Sequence, residues 1–156
     1  MLHYDNRQCS APAILTDSSG IIPSQITDET GCGSVRFPWM LSAMNGQTIR
    51  LSIVDFGSEL VKRQNNSKAD IIYGYIKEAE IRTPFGSNMK RERELYQSKG
   101  NQLTLEILPY ERRRGVGFFI RYQSRCIVII YCKYDNTSDY FIIHKEIYSQ
   151  PPGHVY

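Results

Sequence analysis

Polar and apolar residues alternate in short stretches along the chain, and turn-forming residues separate these stretches. Residues 48–53 and 102–107 alternate one by one, which is the pattern of a strand with one face on a core. Residues 71–76 are a further strand candidate, and residues 116–122 have the apolar character of a buried strand. No long segment repeats apolar residues at the spacing of an amphipathic helix. The pattern therefore predicts an all-β fold, an antiparallel β-sandwich.

Three local predictions follow from the same pattern. Asn45 and Gly46 favour a tight turn, so we expect residues 39–43 and 48–53 to pair as a hairpin. Residues 90–96 are too densely charged to bury a helix face, and we expect one helical turn there at most. Two apolar runs, residues 127–131 and 140–147, flank a polar turn and predict a hairpin outside the main domain.

Composition and charge exclude two classes of partner. The net charge of +3 is too small to indicate nucleic-acid binding. No apolar run is long enough to cross a membrane. The 11 Tyr and 6 Phe residues favour β structure, because aromatic side chains fit a half-buried pleated surface.

The four cysteines bear on the cellular compartment. None lies in a CxxC pair, and the three histidines are scattered near the termini, so we expect no zinc site. An even number of well-separated cysteines fits disulfides and an oxidising compartment. Four free thiols in a cytosolic protein fit the same count, and this alternative stays open.

Four segments share their order and spacing with the CUB family, which the chain resembles over residues 9–126. They are Cys9 with SSGI at 18–21, CGS at 32–34 with PWML at 38–41, GQTIRLSIVDF at 46–56, and GFFIRY at 117–122. The resemblance implies a compact, jelly-roll-like antiparallel sandwich that binds other macromolecules. It also implies a disulfide between Cys9 and Cys32.

The sequence departs from the CUB pattern in two places. The second cysteine pair of the family is missing from residues 68–72 and 82–86. Gly74 stands where calcium-binding members have a ligand, and calcium needs several converging oxygens, so we expect no cofactor, calcium included. Cys126 and Cys132 are six residues apart in an extended run, which holds cysteines apart unless the chain turns back. Their pairing is left unassigned.

We divide the chain into an N-terminal flank (residues 1–8), a CUB-like domain (9–126) and a C-terminal extension (127–156). The resemblance implies an extracellular location, and residues 1–10 contain no signal-peptide core. We therefore expect the module to be part of a larger secreted or membrane-anchored protein.

Candidate sites are few. Asn65 and Asn136 begin glycosylation sequons in polar stretches. The basic residues predicted to lie in loops are candidates for contact with a partner, although we favour solvated loop charges, partly cancelled by neighbouring glutamates. These candidates are Lys90, Arg91, Arg93, Arg112, Arg113 and Arg114. No spacing typical of a catalytic site is present.

The sequence thus predicts a non-catalytic module that binds an extracellular protein through loops on a rigid scaffold. The alternative is a sandwich that binds a sulfated glycan or another anionic surface through its basic loops.

Overall fold

The computed structural model describes residues 8–58 and 71–126, together with the backbone of residues 132–133 and 140–141. Two sheets make up the main domain. The five-stranded sheet has the order β1 (Ala13–Leu15), β3 (Trp39–Ser42), β8 (Gln102–Ile107), β5 (Ile72–Glu78) and β6 (Ile81–Gly86). The four-stranded sheet has the order β2 (Ser19–Pro23), β9 (Phe118–Cys126), β4 (Gln47–Asp55) and β7 (Glu92–Gln97).

Antiparallel pairing dominates both sheets, and β1 and β3 are the parallel pair. A short helix, α1 (Ser24–Thr30), follows β2. Two further strands, β10 (Cys132–Lys133) and β11 (Tyr140–Phe141), pair with each other in antiparallel orientation. The prediction of an all-β antiparallel sandwich is confirmed.

The alternation of β4 and β9 explains why the two sheets pack together. Ile49, Leu51 and Ile53 are buried at every second position of β4, and Ile120 and Tyr122 are buried on β9. Because successive strand residues point to opposite faces, one face of each strand meets the core and the other meets solvent. The buried residues of both sheets form one hydrophobic cluster.

An aromatic contact joins the sheets inside this core. Tyr73 of β5 stacks on Phe118 of β9 with 5.0 Å between ring centroids and an interplanar angle of 9°. Phe85 of β6 meets Phe118 edge-on, with its ring centroid 5.9 Å away. These three rings pack between the two sheets in the hydrophobic core.

The predicted hairpin between residues 39–43 and 48–53 is wrong, although the turn is present. The amide of Gln47 donates to the carbonyl of Met44 over 3.0 Å, and Gly46 has a φ of 81°. However, β3 pairs with β1 and β8, whereas β4 pairs with β7 and β9. The Asn45–Gly46 turn therefore carries the chain from one sheet to the other.

Two further expectations need correction. Residues 92–97 form strand β7, not a helical turn, because the alternation of charged and half-buried side chains suits an edge strand. Helix α1 was not predicted at all. It starts after Pro23 and ends at Gly31, whose φ of 73° is the left-handed conformation that favours glycine at a helix end.

The structure joins Cys9 and Cys32 in a disulfide with 5.1 Å between the Cα atoms, as the sequence analysis expected. The amide of Cys9 also donates to the carbonyl of Thr30 over 2.9 Å. The disulfide therefore fastens the start of the domain to the segment that follows α1. Cys126, at the end of β9, is disulfide-bonded as well.

Candidate functional site

A buried carboxylate supports one end of the sandwich. Asp55 is the last residue of β4 and is completely buried. Its Oδ1 accepts hydrogen bonds from the hydroxyl of Tyr73 and from the amide of Gly57, both over 2.8 Å. Its Oδ2 faces Nη1 of Arg93 at 3.4 Å. The charge of Asp55 is therefore balanced and hydrogen-bonded, as a buried carboxylate requires.

Arg93 extends this network to the loop between β6 and β7. Besides contacting Asp55, its guanidinium donates to the carbonyl of Lys90 over 3.1 Å and to the carbonyl of Gly86. The amide of Asp55 donates to the carbonyl of Arg91 over 2.6 Å. The backbone around Lys90 and Arg91 is thus held against the end of β4.

The phenol of Tyr73 stays protonated in this network. Burial raises the pKa of Tyr73, and the hydrogen bond to the Asp55 carboxylate raises that pKa further. The phenol therefore acts as a hydrogen-bond donor at every physiological pH. Its role is to hold Asp55, not to exchange protons.

An exposed aromatic pair adjoins this buried network, because Phe56 follows Asp55 in the chain. Phe56 and Phe119 meet edge-to-face with 5.3 Å between ring centroids and an angle of 89°. Their exposed fractions are 45% and 38%. The amide of Phe56 donates to the carbonyl of Gly117 over 3.2 Å, which fixes the start of the pair.

Neighbouring strands extend the apolar surface around these rings. Phe119 lies opposite Val54 on β4 and opposite Pro23 on β2. Ile21, two residues before Pro23, is 52% exposed on the same side of the sheet. We call the surface formed by Ile21, Pro23, Phe56 and Phe119 the aromatic face, and Val54, opposite Phe119, is buried.

Two arginines flank the aromatic face. The guanidinium carbon of Arg91 lies 5.2 Å from the ring centroid of Phe56, a cation–π contact. Arg121 lies opposite Ile21 in the sheet and is exposed, with its side chain on the outer side, since Ile120 and Tyr122 point into the core. Apolar and cationic groups therefore alternate on one outer surface.

The predicted basic candidates divide into two groups. Lys90, Arg91, Arg112 and Arg114 are exposed. Arg93 is largely buried against Asp55. Arg113 is completely buried, so its selection as a partner-binding residue is wrong.

Arg113 instead anchors the loop between β8 and β9. Its Nε donates to the carbonyl of Leu108 over 2.9 Å, and its other nitrogens donate to the carbonyl of Val116 and to the carboxylate of Asp28 on α1. A side chain that satisfies backbone carbonyls in the interior is a structural element of the loop. The consequence is that Arg112 and Arg114 project to solvent on either side of it.

Gly74 has a structural explanation. A Cβ atom at this position would lie 2.0 Å from the carbonyl oxygen of Glu106, so no larger side chain fits there. Within residues 8–58 and 71–126, no three His, Cys, Asp or Glu residues are grouped so that they could hold a metal ion. None of the helices that the structure describes is long and apolar enough to cross a membrane.

Two sequence-based candidates lie outside the described residues. These are the sequon residues Asn65 and Asn136. The prediction that residues 116–122 form one buried strand missed the aromatic face. The signal was the alternation itself, because buried Phe118 and Ile120 require Phe119 and Arg121 to point outward.

No family model and no curated protein matches the chain. Among solved structures, it is similar to the full extracellular region of zebrafish Gpr126/Adgrg6, with 17% sequence identity and a TM-score of 0.46. The match covers 78% of this chain and 15% of that receptor region. Because the identity and the TM-score are both low, this likeness carries no argument about function.

Proposed function

We propose that this chain is a non-catalytic, CUB-like extracellular module, part of a larger secreted or membrane-anchored protein, that binds a protein partner through the aromatic face. The observation that carries the proposal is the exposed Phe56–Phe119 pair on a backbone fixed by buried hydrogen bonds. Exposed aromatic side chains that are already ordered lose little conformational entropy on binding. Contiguous apolar groups on a sandwich surface are typical of interaction sites.

Two features support an extracellular location. Cys9 and Cys32 form a disulfide across 23 positions, and Cys126 is also disulfide-bonded. Such bonds persist in oxidising compartments and are rare in the cytosol. The cytosolic alternative with four free thiols is therefore disfavoured.

Non-catalytic binding fits the chemistry of the buried charges. Asp55 accepts hydrogen bonds from Tyr73 and Gly57 and pairs with Arg93. Glu106 likewise forms an ion pair with Arg82, with 2.7 Å between Oε2 of Glu106 and Nη2 of Arg82. Because both carboxylates are committed to internal partners, Asp55 and Glu106 stabilise the scaffold.

A binding assay with individual extracellular proteins tests the proposal. The domain is multimerised and applied to a panel of separately expressed extracellular proteins, with Phe119→Ser as the test variant. Ile81→Ser is the matched control, since Ile81 is 59% exposed at the edge of the other sheet. We expect binding to at least one protein to be lost with Phe119→Ser and kept with Ile81→Ser. Equal binding by both variants would contradict the proposal.

A second candidate function is binding of a sulfated glycan. The observation in its favour is that buried Arg113 displays Arg112 and Arg114 on either side of it. Salt-dependent retention on heparin, abolished by Arg112→Ser with Arg114→Ser, is its expected result. Unchanged elution of this double variant would contradict the glycan-binding function.

A further inference from the structure

Some charged side chains around the aromatic face form ion pairs and others do not. Arg50 and Glu94, farther along the same sheet, form an ion pair over 2.5 Å. In contrast, Arg91 and Arg121 make no ion pair with any residue that the structure describes. The cations beside the exposed rings are therefore available to a partner.

The acidic groups nearby do not cancel this excess. Asp55 is buried and paired with Arg93, so it offers no carboxylate at the surface. Glu92 and Glu94 are exposed acids of β7, opposite Val54 and Ser52, and Glu94 is paired with Arg50. Glu92 therefore stands against three exposed cations, Lys90, Arg91 and Arg121. The flank of the aromatic face is therefore cationic.

Arg91 is also positioned before any partner arrives. Its guanidinium lies over the ring of Phe56, and its carbonyl accepts the amide of Asp55. The neighbouring carbonyl of Lys90 is held by Arg93. A cation that is already ordered beside an apolar surface binds an anion while a neighbouring apolar group packs on that surface. Because the cation is already ordered, little conformational entropy is lost on binding.

We propose that the aromatic face binds a protein segment in which an acidic side chain lies next to an aromatic or aliphatic one. The apolar side chain packs on Phe56 and Phe119, and the carboxylate meets Arg91, with Arg121 as the second cation. This inference rests on the proposed function and specifies the chemistry of its partner. A carboxylate is favoured over a polyanion because the cations border an apolar surface.

Selection from a library of random peptides displayed on phage tests this chemistry without a known partner. The immobilised domain is the bait, and enriched peptides are then measured against variants. We expect enrichment of Asp or Glu beside an aromatic or aliphatic residue. Phe119→Ser and Arg91→Gln should each weaken the binding of these peptides about tenfold.

The matched control for the charge is Arg36→Gln. Arg36 lies over the ring of Phe37 at 5.1 Å, the same kind of contact in a different loop. Its replacement should leave peptide affinity within about twofold. Thermal unfolding of each variant shows whether a lost affinity reflects a lost fold.

The outcomes separate the two proposals. Peptides that depend on Phe119 but show no acidic enrichment, and that bind Arg91→Gln as tightly as the wild type, overturn this inference and leave protein binding in place. The absence of any peptide that depends on Phe119 also overturns it. In that case the panel assay decides the proposed function independently.

Discussion

The hydroxyl of Tyr73 donates a hydrogen bond to Oδ1 of Asp55 over 2.8 Å, and both side chains are completely buried. Tyr73 belongs to the five-stranded sheet and Asp55 to the four-stranded sheet. The bond therefore connects the two layers of the sandwich. Phe56 of the aromatic face is the residue that follows Asp55 in the chain.

Removing this hydroxyl should destabilise the domain. Tyr73→Phe keeps the stacked ring on Phe118 but leaves Asp55 with one fewer donor, so we expect a loss of about 1–2 kcal/mol in the free energy of unfolding. Urea denaturation measures it. Tyr75→Phe is the control, because Tyr75 is half-buried on the outer side of the same strand and its ring contact with Arg82 is kept. Equal stability of the two variants would show that the bond contributes nothing.

Arg113 is expected to be a stability residue and not a ligand residue. Arg113→Met removes the partner of Asp28 and leaves the carbonyls of Leu108 and Val116 without a donor. The expected cost is about 3 kcal/mol. Arg112→Met, one position earlier and exposed, should change stability by less than about 0.5 kcal/mol. A small effect of both substitutions in chemical denaturation would refute the anchoring role.

Glu78 makes stability depend on pH. Burial alone would raise its pKa, but hydrogen bonds from the amide of Gly100, the hydroxyl of Tyr96 and the amide of Lys99 outweigh burial and hold the pKa below its ordinary value of 4.5. The hydrogen bond between Tyr96 and Glu78 also raises the pKa of Tyr96 to about 12. A lowered folded-state pKa contributes stability that is present above the unfolded value and lost as the pH falls through the folded value.

The measurement compares Glu78→Gln with the wild type across pH. Near neutral pH the variant should unfold at a lower urea concentration, and the difference should shrink as the pH falls through the lowered folded-state pKa of Glu78 and the wild-type carboxyl takes up its proton. Glu80→Gln, at an exposed neighbouring position, is the control. A difference between Glu78→Gln and the wild type that is constant across pH would contradict the assignment.

The disulfide between Cys9 and Cys32 should matter mainly through the unfolded chain. Replacing both cysteines by Ala opens a loop of 23 positions, which corresponds to about 3 kcal/mol of chain entropy. The double variant should therefore unfold at lower urea concentration while keeping a β-rich circular dichroism spectrum. An unchanged midpoint would mean that the hydrogen bond from Cys9 to Thr30 and the packing around it suffice.

Local patterns predicted the fold class, because alternation of polar and apolar residues follows directly from the opposite directions of successive side chains in a strand. Residues 48–53 and 102–107 alternate with period two, and both form strands with one buried face. The order of strands within the sheets was not predictable in this way. Asn45 and Gly46 specify a turn, but they do not specify whether the chain returns to the same sheet or crosses to the other.

The candidate site was harder to predict, because burial is decided by distant contacts. Arg112, Arg113 and Arg114 are identical in sequence terms, yet Arg113 is buried by partners on α1 and at the ends of the loop. Phe118 and Phe119 are likewise the same residue type at adjacent positions, yet Phe118 is buried in the core and Phe119 is exposed. Only the register of β9 against β2 and β4 distinguishes them.

Amide chemical-shift mapping of the isotope-labelled domain tests the central claim most directly. On addition of the partner found in the panel assay, or of a selected peptide, we expect the shifted amides to cluster at Ile21, Phe56, Arg91, Phe119 and Arg121. The outer side of the five-stranded sheet, around Met40 and Ile81, should be unaffected. Shifts confined to that other sheet, or to the loop of Arg112 and Arg114, would contradict the account.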